Sequence, residues 1–249
     1  MKNEKPLGIK NYGSIPHLPN SRIGPGDHHC TEGQARIATI KKRDKYDRII
    51  VTEKLDGSNI GIVKINNQII PLTRAGYRAE TSHYGMHHKF ADFVLNKKNY
   101  KRFNNFLNNG ERLIGEWVYQ AHGTIYNLSH EPLVIFDLMI SKERLPFDQF
   151  YDRIINNSDF TIPYILEYDN PITVEEAMKR LNTYGFHGAQ EQVEGAVWKV
   201  ERYKQLNNNT SQRKWAVDYL VKYVRPDKED GKYLDQNIIN QVKLREDAR

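Results

Sequence analysis

The sequence predicts an α+β domain in which antiparallel β-sheets pack on each other and helices flank them. Three observations carry this. Short apolar runs that read as strands outnumber the longer helical patterns. Their order lacks the strand–helix alternation of a parallel sheet. Asn66-Asn67 separates two of the runs, and asparagine tolerates the positive φ of a tight hairpin, which makes those two strands antiparallel.

Taken in order, residues 1–45 read as an irregular wrap packed on the main domain. Pro16, Pro19 and Pro25 interrupt regular structure, Gly24-Pro25-Gly26 marks a turn, and Ile15, Leu18 and Ile23 supply anchors. Strands are expected at 48–54, 59–66 and 68–74, inside a main domain spanning 46–228. From His87 to Asn108, the positions Phe90, Phe93, Val94, Phe103, Phe106 and Leu107 recur at helical spacing, and Gly110 stops that helix. Such an aromatic stripe is core packing. Further strands are expected at 112–119 and 132–140. Helices follow at 147–156 and 173–183, the second capped by Thr173 with Glu176 three residues on. Strands return at 193–201 and 215–224 around a polar, mobile loop at 205–212, and a short helix from about 235 ends a C-terminal segment, 229–249.

A chain of 249 residues can bury a sizeable core, and 39% hydrophobic with 27% charged residues describes a soluble globular protein. The net charge of +6 points to an anionic partner, although many soluble proteins are mildly basic. Fifteen tyrosines and nine phenylalanines suit base stacking as well as core packing. Cys30 is the sole cysteine, so no intrachain disulfide forms, as expected in a reducing cytoplasm. The polar first residues and the lack of any membrane-length apolar run argue for a cytoplasmic protein with no membrane partner, expected as a monomer. Asp27-His28-His29-Cys30 has no partner pair at zinc-motif spacing and reads as loop packing.

The chemistry centres on Glu53-Lys54-Leu55-Asp56-Gly57-Ser58-Asn59, which follows the apolar run Ile49-Ile50-Val51 and precedes another, Ile60 to Ile65. A lysine held where two strands meet can be a covalent nucleophile, provided that partial burial and nearby positive charge free its amine of a proton. Otherwise it is a strand-end charge in solvent. Asp56 offers a hard oxygen and Gly57 a close backbone approach. Arg74 and Arg78 end the strand beyond the hairpin, where a guanidinium could grip phosphates. Glu116, in Ile114-Gly115-Glu116-Trp117, is a carboxylate in an apolar strand and needs a donor when buried. Phe136 stands in a later strand, where an aromatic is most simply core. In Glu194-Gly195-Ala196-Val197-Trp198-Lys199, Glu194 suits a hydrated divalent cation. Strand alternation puts Lys199 on the opposite face from it, unless a bulge or twist intervenes.

Lys54-x-Asp56-Gly57, Gly115-Glu116, Phe136, Glu194-Gly195-x-Val197-x-Lys199 and Lys222 occur in this order over about 170 residues. In that order they resemble the motifs of the covalent nucleotidyltransferases, and among them the ATP-dependent RNA ligases. Ser14-Ile-Pro-His-Leu-Pro-Asn-Ser-Arg22 and Lys222-Tyr-Val-Arg-Pro-Asp227 resemble the small RNA ligases of phages and bacteria.

The resemblance implies a nucleotidyltransferase (adenylyltransferase) fold. It implies Lys54 as the nucleophile, with ATP as AMP donor, and Glu53, Asn59, Arg74, Glu116, Phe136, Lys199 and Lys222 around the nucleotide. Glu116 would meet the ribose and Phe136 the purine. Glu194 and Asp56 would serve Mg²⁺ or Mn²⁺, and RNA ends would be the partner. The fifth motif usually carries two lysines two apart. Here Val224 takes the second place and Arg225 follows, so which cation offsets the α-phosphate stays open. DNA ligases and capping guanylyltransferases share the lysine motif but usually carry an OB-fold after the fifth, and residues 226–249 are too few for one. A compact DNA ligase and a non-catalytic nucleotide- or RNA-binding module remain the alternatives.

Overall fold

The computed structural model describes residues 4–157, 160–205 and 213–243. Its elements are α1 (Glu32–Thr39), β1 (Asp47–Lys54), β2 (Ser58–Ile65), β3 (Gln68–Thr73), α2 (Gly85–Leu95), α3 (Lys97–Phe106), β4 (Glu111–Trp117), β5 (Asn127–Leu128), β6 (Leu133–Ile140), β7 (Glu143–Arg144), α4 (Phe147–Asn157), β8 (Ile165–Asp169), α5 (Val174–Leu181), β9 (Gly195–Gln205), β10 (Arg213–Val224) and β11 (Gln241–Val242). They form two compact units, each drawn from three stretches of chain. One comprises 1–13, 57–120 and 130–162, the other 14–56, 121–129 and 163–249. The fold is mixed α/β with antiparallel sheets and few helices, as the strand count predicted.

The first unit is built on a five-stranded sheet in the order β3-β2-β4-β6-β7, antiparallel throughout. Asn66 and Asn67, at φ 49° and 61°, close the β2–β3 hairpin as expected of two left-handed residues. The helical stripe packs Phe90 and Phe93 on Trp117 with ring centroids 5.4 and 5.1 Å apart, and Phe103 stacks on Phe160 at 5.5 Å.

The second unit is built on a four-stranded sheet, β10-β9-β1-β8, with β5 and β11 forming a separate parallel pair. Strand β1 is buried almost along its length, and its centre, Ile49-Ile50-Val51, reads as an apolar run for that reason. Trp198, wholly buried, donates its indole N–H to the Ile172 carbonyl at 3.0 Å.

Four local expectations change. The 87–108 helix is two helices, because Asn96 leaves helical geometry (φ −60°, ψ 150°) and its side chain caps the next turn at Asn99 N, 2.9 Å away. Residues 32–39 form a helix rather than irregular chain. Thr31 and Gln34 make a reciprocal capping box at its start, while Ala35, Ile37 and Ala38 are buried. Ile23 is 46% exposed and anchors nothing, unlike Leu18 at 1%. From 235 to 243 the chain makes turns and β11, with Asn237 at φ 50°, and the rest of the expected terminal helix lies outside the described residues, as does most of the polar loop at 205–212.

Candidate active site

In the second unit, β1 and β9 pair without a register shift: Lys54 lies opposite Gly195, and Ile50 opposite Lys199. On the other side of β9, Val197 faces Lys222 and Lys199 faces Leu220. Paired residues of an antiparallel ladder project to one side. Lys54, Lys199 and Lys222 therefore share one face of the sheet. The expected conflict between Glu194 and Lys199 does not arise. Glu194 stands one residue before β9, outside the pleat, and its Oε2 accepts from Lys54 Nζ at 2.6 Å.

Glu194 is only 6% exposed. Burial pushes its carboxyl up, Lys54 opposes the shift, and the charge of Asp56 adds to it. The charge of Asp56 near the buried Glu194 makes this a place that a divalent cation would suit. Asp56 Oδ2 accepts from Gly123 N at 2.8 Å and pairs with Lys228 Nζ, which also donates to Thr124 Oγ1 at 2.7 Å. The Lys228 side chain is fully buried. Among the described residues no cluster of three or more metal-ligating side chains forms, so a cation here would draw on Glu194, Asp56 and a nucleotide's phosphates.

Lys222 Nζ lies 3.8 Å from Asp27 Oδ1, and Asp27 Oδ2 lies 3.1 Å from His17 Nε2. His17 Nδ1 is 2.7 Å from Ser21 Oγ. The 14–30 segment is thus the support of Lys222, fixed by Lys222 N donating to Pro16 O at 3.0 Å and Leu18 N to Lys222 O at 2.8 Å. Burial, then the nearby lysines, lower His17 to about 4, so it is neutral at pH 7.

Glu53 points to the face opposite Lys54. Its Oε2 accepts from Phe186 N at 3.0 Å, and its Oε1 is buried without a hydrogen-bond partner among the described residues. Gly185, at φ +56°, must be glycine there, since a Cβ would collide with Oε1. Burial raises the Glu53 carboxyl to about 7. The Arg225 guanidinium is committed to the carbonyls of Val193 (3.1 Å) and Gln192 (3.4 Å) and to Asp227 at 2.6 Å, so it braces the approach to Glu194.

The first unit holds the remaining candidates. Asn59 and Glu116 pair directly across β2 and β4, and Glu116 Oε1 accepts from Gly57 N at 3.2 Å. Gly57 packs so close to β4 that a Cβ would sit 2.6 Å from Trp117 O. Asn59 Oδ1 is buried without a hydrogen-bond partner among the described residues. Phe136 lies at a break in the β4–β6 register and meets Tyr12 edge-on at 5.5 Å, half-buried. Arg74 is exposed in the turn after β3.

Lys228, Thr124, His17 and Asp27 escaped the sequence reading as site residues. The one signal was a lysine just past Arg225-Pro226-Asp227, and its acidic partner is 172 positions away.

The RNA ligase family matches residues 47–224. No curated protein matches the sequence. Among solved structures, a Naegleria gruberi RNA ligase lysine-to-methionine mutant with AMP and Mn is similar at TM-score 0.51 and 18% identity, over 89% of this chain and 61% of that one. An archaeal ATP-dependent RNA ligase is similar at TM-score 0.45 and 18% identity, over 72% of this chain and 42% of that one. A putative ATP-dependent DNA ligase from Aquifex aeolicus gives 0.46 and 18%, over 86% and 49%. The chain therefore spans less than two thirds of the length of each. The first likeness establishes a shared fold.

Proposed function

The chain belongs to the RNA ligase family, and from that premise we propose that it is an ATP-dependent RNA ligase joining 5′-phosphate and 3′-hydroxyl RNA ends through lysyl-AMP. The observation that carries this reading is Lys54 Nζ held 2.6 Å from the buried Glu194, on a sheet face shared with Lys199 and Lys222. Nucleotide or RNA binding alone needs no lysine paired in this way.

In the first step Lys54 Nζ forms a bond to the α-phosphorus of ATP and the bond to pyrophosphate breaks. The amine attacks in its neutral form, its proton having left to solvent, and Glu194 Oε2, 2.6 Å away, orients it. Lys199 and Lys222 offset the charge that builds on the phosphate. Bound Mg²⁺ or Mn²⁺, held by Glu194 and Asp56, would add positive charge at the same phosphate. The P–N bond, once its nitrogen is reprotonated, passes AMP to the RNA 5′-phosphate. That phosphate has no good leaving group until AMP is attached. A 3′-hydroxyl then attacks, the new phosphodiester forms, and AMP leaves. Asn59 Oδ1 and Glu116 offer acceptors to ribose hydroxyls, and Phe136 a ring for the purine. Asn59 is also expected to assist the two later steps.

Mg²⁺ or Mn²⁺ as the cation, cytoplasmic residence, a monomeric state and kinship with phage or bacterial enzymes belong to the same proposal. The similar Naegleria gruberi RNA ligase holds AMP and Mn in its own structure. The test is incubation with α-labelled ATP or GTP and a divalent cation, followed by denaturing electrophoresis. Label from ATP that is lost in Lys54→Ala is the expected result. Label from GTP alone points to capping, and no label with any cation leaves a binding module. Sealing assays on matched RNA and DNA nicks separate RNA ligase from DNA ligase.

A further inference from the structure

At the end of β4 remote from Glu116, the first unit carries a cleft of about 430 Å³ lined by Lys10, Asn11, Arg112, Met139, Lys142 and Arg144. Four of these six are cations. Arg112 is 2% exposed, yet its guanidinium meets no carboxylate among the described residues. Its Nε donates to Asn11 O at 3.2 Å, Nη1 to Ser141 O, and Nη2 reaches only Met139 Sδ at 3.6 Å. Burial, and then Arg144, work against its charge. Arg144 has its own acid, Asp137, at 3.1 Å, and lies over the Tyr12 ring at 4.8 Å. Lys10 and Lys142 are exposed, and neither has an ion-pair partner among the described residues. The Asn11 side chain is buried, and neither its oxygen nor its nitrogen has a hydrogen-bond partner among the described residues.

A buried guanidinium with unfilled donors is costly unless an anion meets it. Ile9 and Gly13 complete the lining, and every charged side chain in it is a cation, so the complement is an acceptor-rich, multiply charged group, and guanidinium forks match phosphate oxygens. The competing account makes Arg112 a clamp between two loop carbonyls. That account explains two of its bonds but not the two unpaired lysines beside it. We propose that this cleft is a phosphate-binding site, whose phosphate is carried by the RNA strand. The choice of RNA rests on the ligase reading; the phosphate chemistry does not.

The experiment measures binding, without ATP, of a short single-stranded RNA with a 5′-phosphate and a 3′-fluorophore, over a range of salt, with inorganic phosphate as competitor. Wild type is compared with Lys10→Ala/Lys142→Ala, whose side chains are exposed, and with Arg112→Met. The double variant should bind RNA about tenfold more weakly, with a salt slope reduced by roughly 1–2. Arg112→Met should weaken it further if it folds. If only the competition by inorganic phosphate depends on the two lysines, the site stands and its ligand is a free anion. If neither RNA nor phosphate binding differs between wild type and the double variant, the site is refuted. The ligase reading fails separately, through absence of an ATP-derived adduct on wild-type Lys54.

Discussion

Glu53 and Lys54 are adjacent in the chain, yet strand alternation sends them to opposite faces of β1, and burial gives them different work. Lys54 meets Glu194 on the site face, while Glu53 is sealed under residues 185–187 with one oxygen unsatisfied. Because burial raises its folded pKa to about 7 from 4.5, Glu53 binds more protons in the folded chain than in the unfolded one between those values. Its contribution is fully present below pH 4.5 and is lost as pH rises through 7, by about 3 kcal/mol. Glu53→Gln cannot ionise. Urea denaturation of both proteins from pH 4.5 to 8 should therefore show the wild type losing about 3 kcal/mol relative to the variant. Parallel stability curves would refute the raised carboxyl. At this scale the motif residues were legible because their spacing is local to strands. Lys228 was not, since nothing near it in sequence announces that Asp56 will be its partner.

Strands were legible where burial imposed a run or an alternation: β1, β2, β3, β4, β6, β9 and β10 fall close to their expected spans. The failures lie in short elements whose limits are set by caps and neighbours. Asn96 serves two helices at once, ending α2 and capping α3, which an unbroken apolar period conceals. Strand β8, five residues long, owes its existence to pairing with β1 rather than to its own pattern. Helix α1 was hidden in a proline- and glycine-rich stretch, although its capping box was in plain view as Thr31-x-x-Gln34. The box satisfies amides that eight residues of helix could not satisfy alone. Thr31→Ala should cost about 1 kcal/mol, whereas Thr31→Ser should cost almost nothing. Denaturation midpoints read both. Equal losses from the two substitutions would mean that the methyl group, not the hydroxyl, holds the helix start.

At the scale of the whole chain, the two units are interleaved in sequence: the chain passes between them at 13/14, 56/57, 120/121, 129/130 and 162/163. The second of these passages falls inside the lysine motif, between Asp56 and Gly57. Sequence patterning finds strands but not which sheet each will join, so β1 and β2, consecutive and both apolar, gave no sign of entering different sheets. Neither unit is a contiguous piece of chain, so ligand binding is best read through the stability of the intact protein. A ligand that binds only the folded state stabilises it by mass action, about 2.7 kcal/mol at a hundredfold excess over Kd. For a chain of this size, each kcal/mol raises the melting temperature by about 2–4 °C. ATP with Mg²⁺ or Mn²⁺ should therefore raise the melting temperature of Lys54→Ala, which cannot form the adduct, by roughly 5–10 °C. A chelator should reverse most of the gain if Glu194 and Asp56 hold a cation with the phosphates. Reversal should fail in Glu194→Gln, because that variant has little cation-dependent gain to lose. A gain in Lys54→Ala that is indifferent to chelator and to Glu194 would mean that the nucleotide binds without the cation these carboxylates are proposed to hold.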